Sequence, residues 1–257
     1  MGRSVAVVYG IVTYVLFLAV FIYAIGFVGA ILVPKSVDSG AESSIVMALV
    51  IDAVLLALFA IQHSVMARQW FKRAWTKIVP TAVERTTYVL FATAILALVM
   101  WQWRPVTTLV WDVENPAGQI ALRVLFFAGW AILLLSTWLI DHFELFGIRQ
   151  VLANAGAMPP ATYSFKAPLF YKMVRHPIYL GFVIAFWSTA RMTVGHLFFA
   201  VMCTAYMLVA IQFEEHDLVR HYGDTYREYR RRVSMLLPMP PRIVKPEAQA
   251  AAQHGGK

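Results

Sequence analysis

Residues 5–33 read VAVVYGIVTYVLFLAVFIYAIGFVGAILV, without one charged side chain. As a helix rising about 1.5 Å per residue, this stretch is long enough to cross a hydrocarbon core about 30 Å thick. It exceeds the ~7–15 apolar residues of a secretory signal, so it reads as a retained first span. Three more long apolar segments come next, at about 43–66, 84–103 and 120–140. Only the second carries charge at its centre, in Asp52, and it also holds His63. Two further apolar arms, about 178–190 and 193–213, are punctuated by Arg191 and Gly195, which predicts a helical hairpin. The first arm is short for an upright crossing, which leaves five crossings or six. The predicted fold class is an all-α polytopic transmembrane helix bundle, with four long spans plus a C-terminal helical hairpin. A polar helix over 214–232 is predicted on the cytoplasmic face.

Composition points the same way. Hydrophobic residues make up 60% of the chain and charged residues 14%, against about 45–50% and about 25% in soluble domains. The net charge of +8 raises nucleic acid as a partner, but no basic stretch is interleaved with a nucleic-acid motif, so none is assigned. The placement of the charges explains the excess instead. Residues 67–85 hold Arg68, Lys72, Arg73, Lys77 and Arg85 against Glu84 alone, whereas 34–42 and 104–118 are slightly acidic. The stretch 141–177 carries Arg149, Lys166, Lys172 and Arg175, and the region after 213 is rich in arginine. Basic connections inside and acidic ones outside give both termini to the cytoplasm. Trp101, Trp103 and Trp111 fit an aromatic belt at the outer interface. Cys203 is the single cysteine, in an apolar run, and reads as a small buried hydrophobe. Residues 1–238 read as one domain and 239–257 as a disordered cytoplasmic tail.

Two clusters place ionisable groups at helix ends on the basic side. The first is Arg175-His176-Pro177-Ile178-Tyr179-Leu180-Gly181. Pro177 suits the first turn of the arm that it opens, and Gly181 lets a backbone or a ligand approach closely. The second is Glu214-Glu215-His216-Asp217 at the end of the returning arm. A hairpin brings the two together. Arginine facing a carboxylate pair suits a zwitterionic amino-acid moiety, with Arg175 for its carboxylate and a glutamate for its ammonium.

These residues also carry a resemblance. Tyr171-x-x-Val174-Arg175-His176-Pro177-x-Tyr179-x-Gly181, then Glu214-Glu215-x-x-Leu218, then Tyr222-Gly223-x-x-Tyr226-x-x-Tyr229 resembles the C-terminal signature of the isoprenylcysteine carboxyl methyltransferase and phospholipid methyltransferase superfamily. It covers residues 171–233. The resemblance implies an integral membrane enzyme using S-adenosylmethionine, held by Arg175, His176, Pro177, Tyr179, Gly181, Glu214 and Glu215. Further fragments are similar to the bacterial methanethiol S-methyltransferases, and in part to their NnrU-type relatives. They are Gln62-His63-Ser64-x-Met66-Ala67-Arg68, Glu84-Arg85-Thr86-x-Tyr88 and Asp141-His142-Phe143-Glu144-Leu145-Phe146-Gly147-x-Arg149-Gln150. That similarity implies methylation of methanethiol to dimethyl sulfide. The alternatives it leaves are an isoprenylcysteine or phospholipid acceptor, or a non-enzymatic membrane accessory or transport protein.

Methyl transfer from a sulfonium is an in-line displacement that needs alignment and exclusion of water. A thiol must also lose its proton, and even a cysteine-type thiol has a pKa of about 8.5. His142 is the expected base or relay, oriented by Asp141 or Glu144, with His63 at the end of the second span as a further catalytic candidate. Glu84 and Arg85 are expected to pair and tie the third span to this region. His196 is expected to be structural, and Asp52 to face the bundle interior. His63, Asp141, His142, Glu144 and His216 show no metal-ligand spacing, so no metal is assigned.

Overall fold

In a computed structural model, residues 2–41, 43–160 and 164–239 are described. The long helices are α1 (Arg3–Gly29), α2 (Ile45–Ala67), α4 (Glu84–Gln102), α5 (Pro116–Ile140) and α9 (Val194–Tyr222), with a short α3 (Gln69–Trp75) after α2. Short helices α6 (His142–Leu145) and α7 (Ile148–Asn154) come after α5, α8 (Pro177–Trp187) precedes α9, and α10 (Asp224–Arg232) succeeds it. Among the described residues, five segments are long and apolar enough to cross a membrane. Their outward faces carry large apolar side chains, among them Val8, Val12, Val54, Ile61, Val124 and Val209. Such surface suits lipid, which offers no partners to polar groups and so favours helices with internally satisfied backbones.

Capping side chains fix the helix starts. The Ser44 side chain accepts from Met47 N, and Asn115 accepts from Ala117 and Gly118 N ahead of Pro116 in the first turn of α5. Thr193 accepts from His196 N at the start of α9. Each satisfies backbone donors that a helix leaves unpaired at its N-terminus.

The core is aromatic. Phe21, Phe27, Trp103, Phe126, Trp130, Phe186 and Phe199 meet inside the bundle, with Trp103 and Phe199 edge-on at 5.5 Å. Trp103 is therefore no part of an interfacial belt: it is fully buried and donates through Nε1 to Val37 O at 3.0 Å. Trp101 is exposed, as a belt residue should be.

The short arm α8 packs on α5 at glycine-to-glycine distance. A Cβ on Gly181 would stand 2.6 Å from Gly129 O, and one on Gly129 2.6 Å from Gly181 O. Gly181 thus serves the close backbone approach that its type allows, toward α5.

The segment between α8 and α9 settles the number of traversals. After Trp187 the chain turns, with Thr189 N donating to Trp187 O, and β2 (Arg191–Thr193) pairs antiparallel with β1 (Leu109–Asp112), in register Trp111↔Met192 and Asp112↔Arg191. β1 lies in the connection after α4, at the end of the bundle opposite the basic connections. Among the described residues the chain therefore makes a sixth traversal of the bundle, through eleven helical residues, a turn and the short β2 strand. No alternation in the sequence is strong enough to announce this ribbon. It is stitched by Val113 N to Ala190 O, Val194 N to Thr108 O and Gly195 N to Val106 O.

The predicted polar helix over 214–232 is corrected. α9 runs on unbroken through Glu214 and Glu215 to Tyr222, and the chain then turns at Gly223. Gly223 has φ +58°, ψ −130°, a conformation open essentially to glycine alone. Met239, at the start of the predicted tail, is exposed, and residues 240–257 lie outside the described residues.

Asp52 is fully buried, its Oδ1 accepting from Arg104 N at 2.9 Å. Gly181→Leu should drive a side chain into the α5 backbone and lower stability by at least about 1–3 kcal/mol. Thermal unfolding in detergent reads this, and an unchanged melting temperature would contradict the packing.

Candidate active site

Glu215, near the end of α9, organises the basic end. Arg175 Nε donates to Glu215 Oε1 at 2.6 Å, and His176 Nε2 lies 3.1 Å from the same oxygen. The Arg175 guanidinium also donates to Val233 O at 2.6 Å and Arg230 O at 3.1 Å. Arg175 N and His176 N donate to Ser234 O and Met235 O. The start of α8, the end of α9, α10 and the segment after it are thereby joined. Tyr229 OH donates to Tyr171 O at 2.6 Å, and Phe165 packs edge-on against Tyr222, Tyr226 and Tyr229. Burial raises the Tyr171 phenol above its ordinary range. Tyr171, Tyr222, Tyr226 and Tyr229 of the motif are thus packing and hydrogen-bonding groups that dock α10.

The predicted Arg/His and Glu/Glu clusters do meet, but Arg175 is committed to the protein's own carboxylate. The accessible carboxylate is its neighbour. Glu214 keeps 44% of its side chain exposed and lies 3.8 Å from His176 Nδ1. Tyr179 stands beside it, with Tyr206 and Tyr88 nearby. Pro177 is buried in the first turn of α8.

A second polar group faces this one from α2 and α4. Tyr88 OH lies 3.0 Å from His63 Nδ1 and 2.9 Å from Nε2. Ser64 Oγ is 3.0 Å from Tyr206 OH on α9. Arg68 binds Asp217 at 3.0 Å and stands over the Phe213 ring, fastening α2 to α9. The Arg85 guanidinium lies 5.1 Å from the Tyr88 ring centroid. Sequence reasoning alone does not single out Tyr88 or Tyr206 as site residues. Tyr88 sits in the fragment Glu84-Arg85-Thr86-x-Tyr88, whereas Tyr206 lies in an apolar run with nothing beside it to mark it.

Arg85 makes no ion pair with Glu84. Its Nε donates to Leu145 O at 3.0 Å, its backbone N to Gln150 Oε1 at 3.1 Å, and Thr86 Oγ1 donates to Gly147 O. The tie between α4 and the 141–150 segment is present, but carbonyls make it.

His142 is placed differently from expectation. Thr137 Oγ1 donates to Leu134 O at 2.7 Å and so accepts from His142 Nδ1 at 2.8 Å. Nε2 is then the acceptor for Tyr14 OH at 2.7 Å. The ring is buried and stacked on Trp138 at 4.4 Å. Asp141 does not orient it: Asp141 accepts from Glu144 N as the cap of α6 and pairs with Arg149 at 3.1 Å. Burial lowers the His142 pKa, with the Asp141 charge acting the other way. Phe146 packs against His142 at 4.8 Å and stacks on Phe17 at 4.1 Å, and both phenylalanines pack against the cluster of Met66, Tyr88 and Val89. His196 is buried, its ring bonded to Phe186 O, a structural role.

Helices that present lipid-compatible faces and collect their polar groups at one end define a multi-pass membrane protein with a candidate catalytic end. Over 242 residues the chain is 54% identical to the methanethiol S-methyltransferase of Mycobacterium tuberculosis, covering 94% of this chain and 99% of that protein. It is 52% identical to methanethiol S-methyltransferase 1 of Bradyrhizobium diazoefficiens, over 92% of this chain and 83% of the relative. A more distant relative is Nurim of Danio rerio, 28% identical over 66% of this chain and 64% of its own length. No protein-family model and no solved structure matches. The chain belongs to the methanethiol S-methyltransferase family.

Glu215→Ala should strand a buried arginine and cost roughly 3–5 kcal/mol, whereas Glu214→Ala should stay within about 0.5 kcal/mol of wild type. Thermal unfolding in detergent separates the two. The His142 pKa is lowered on folding, so its contribution to stability is complete above the ordinary histidine value and falls away below it. The melting temperature should therefore drop as pH falls through 6.5, and His142→Gln should flatten that slope.

Proposed function

We propose that this protein methylates methanethiol to dimethyl sulfide, with S-adenosylmethionine as methyl donor. Near-full-length identity to relatives that bear this activity in their names carries the reading. The donor set at the basic end fits the aminoacyl part of the donor: an accessible carboxylate, Glu214, lies beside Tyr179 and is flanked by His176. When bound, the donor supplies an electrophilic methyl group on a sulfonium.

The chain's own residues do the rest. Glu214 and Tyr179 hold the ammonium group, and Arg230, half exposed and only 3.5 Å from Glu215, offers a guanidinium to the carboxylate. Arg175, His176 and Glu215 fix the helix ends that carry these groups, with Pro177 setting the first turn of α8 and Gly181 its seat on α5. The β1–β2 ribbon closes the opposite end of the bundle and helps keep water from the reacting atoms. The acceptor enters from the side of α2 and α4, between His63, Tyr88 and Tyr206. His142, Asp141 and Glu144 hold the segment after α5 in place on this side. Residues 1–238 act as one domain, with 171–233 as its donor-binding part. The basic end faces the cytoplasm of a bacterial inner membrane, which matches the charge asymmetry of the connections and the cytoplasmic origin of the donor.

Membranes carrying the protein, given methanethiol and S-adenosylmethionine, should release dimethyl sulfide into the headspace. Product no higher than in vector-only membranes would overturn the acceptor assignment. Methylation of an isoprenylcysteine or a phospholipid in its place would move the protein to another acceptor class.

A further inference from the structure

We infer that Tyr88, backed by His63, takes the proton from the acceptor thiol. This rests on the reading that the acceptor is a thiol. Of the histidines expected to serve as base, His142 has both ring nitrogens engaged by Thr137 and Tyr14, and its ring packs against Phe146. His63 is only half-buried. The Tyr88 hydroxyl lies within 3.0 Å of both ring nitrogens, so in either tautomer the unprotonated nitrogen is within reach of the phenol proton.

Arg85 from α4 stands over the Tyr88 ring, 5.1 Å from its centroid, and its positive charge offsets part of the cost of placing negative charge at a buried phenol. The other titratable groups facing the pair are Arg68 on α2, Glu84 on α4, Tyr206 on α9 and Tyr179 on α8. Tyr179 in turn stands beside Glu214, so the phenol lies between the acceptor side and the proposed donor side. Phe59 stacks on the imidazole at 5.3 Å and fixes its plane.

In this step the thiol S–H bond breaks and its electron pair stays on sulfur. The proton passes to the Tyr88 oxygen while the phenol proton passes to a His63 nitrogen, giving an imidazolium. The sulfur pair forms the new S–CH3 bond, and the electrons of the broken sulfonium–methyl bond return to the donor sulfur as a neutral thioether. The imidazolium releases its proton to water, a loss that Arg85 nearby favours. Tyr88 is the catalytic residue here, and His63 a positioning residue that acts through it.

The test uses the purified full chain with Tyr88→Phe and His63→Gln. The first readout is the ultraviolet absorbance of methanethiolate bound without methyl donor. Wild type should bind thiolate at a pH below that at which the free thiol ionises, and both variants should lose this shift. The second is kcat/KM against pH for methanethiol and for the more acidic trifluoroethanethiol. Each variant should fall by about 10²-fold or more on methanethiol, with a much smaller loss on trifluoroethanethiol. Donor affinity by calorimetry should stay at the wild-type value, and His142→Gln should leave the thiolate shift intact. Equal losses on both thiols, or a thiolate shift unchanged in both variants, would overturn the inference. A wild-type protein that binds donor but methylates neither thiol would instead overturn the thiol-acceptor reading itself.

Discussion

A carboxylate taken out of water must be paired, and the pairing of Glu215 constrains the rest of this bundle. Its bonds to Arg175 and His176 set the antiparallel register of α8 and α9. That register is repeated higher up, where Trp187 Nε1 donates to Thr204 Oγ1 at 3.0 Å. With the basic ends level, α8 ends where Phe186 O meets His196 near the start of α9. The chain then crosses to α9 through a turn and the short β2 strand, whose polar groups need partners. The β1 strand supplies them. The glycine seat on α5 and the ribbon at the far end are both consequences of a short arm held at a fixed height.

The same pairing sorts the neighbouring carboxylates. Successive residues on a helix point about 100° apart, so with Glu215 turned inward to the clamp, Glu214 faces the space beside Tyr179. One glutamate becomes structural and the other available. A similar division runs through the histidines. His176, His142 and His196 are buried with protein partners, whereas His63 keeps accessible surface against a tyrosine hydroxyl. Surface that remains accessible on a polar group at the enclosed end of a bundle marks where a ligand can be met.

The spans were legible because lipid demands long uncharged runs, and residues 5–33 could be nothing else at that length. The meeting of Arg175 and His176 with Glu214 and Glu215 was legible because a hairpin returns to its starting level. The choice of partner for each charged group was not legible. Arg175 and Glu215 look available in sequence and are mutually consumed in the fold. Arg85 and Glu84 look like a pair, but a guanidinium beside unpaired carbonyls at a helix end binds those instead. His142 looks like a base next to Asp141, yet the backbone turn into α6 sends the carboxylate to Arg149 and the ring to Thr137 and Tyr14. Tyr206 carried no signal because its significance comes only from Ser64, 142 residues away in sequence.

The proposed donor site rests on the division of labour between Glu214 and Glu215, and calorimetric titration of S-adenosylmethionine into Glu214→Gln probes it without intermediaries. Donor affinity should weaken by at least about tenfold, worth about 1.4 kcal/mol, with the melting temperature of the unliganded protein unchanged. Wild-type affinity in this variant would refute the division.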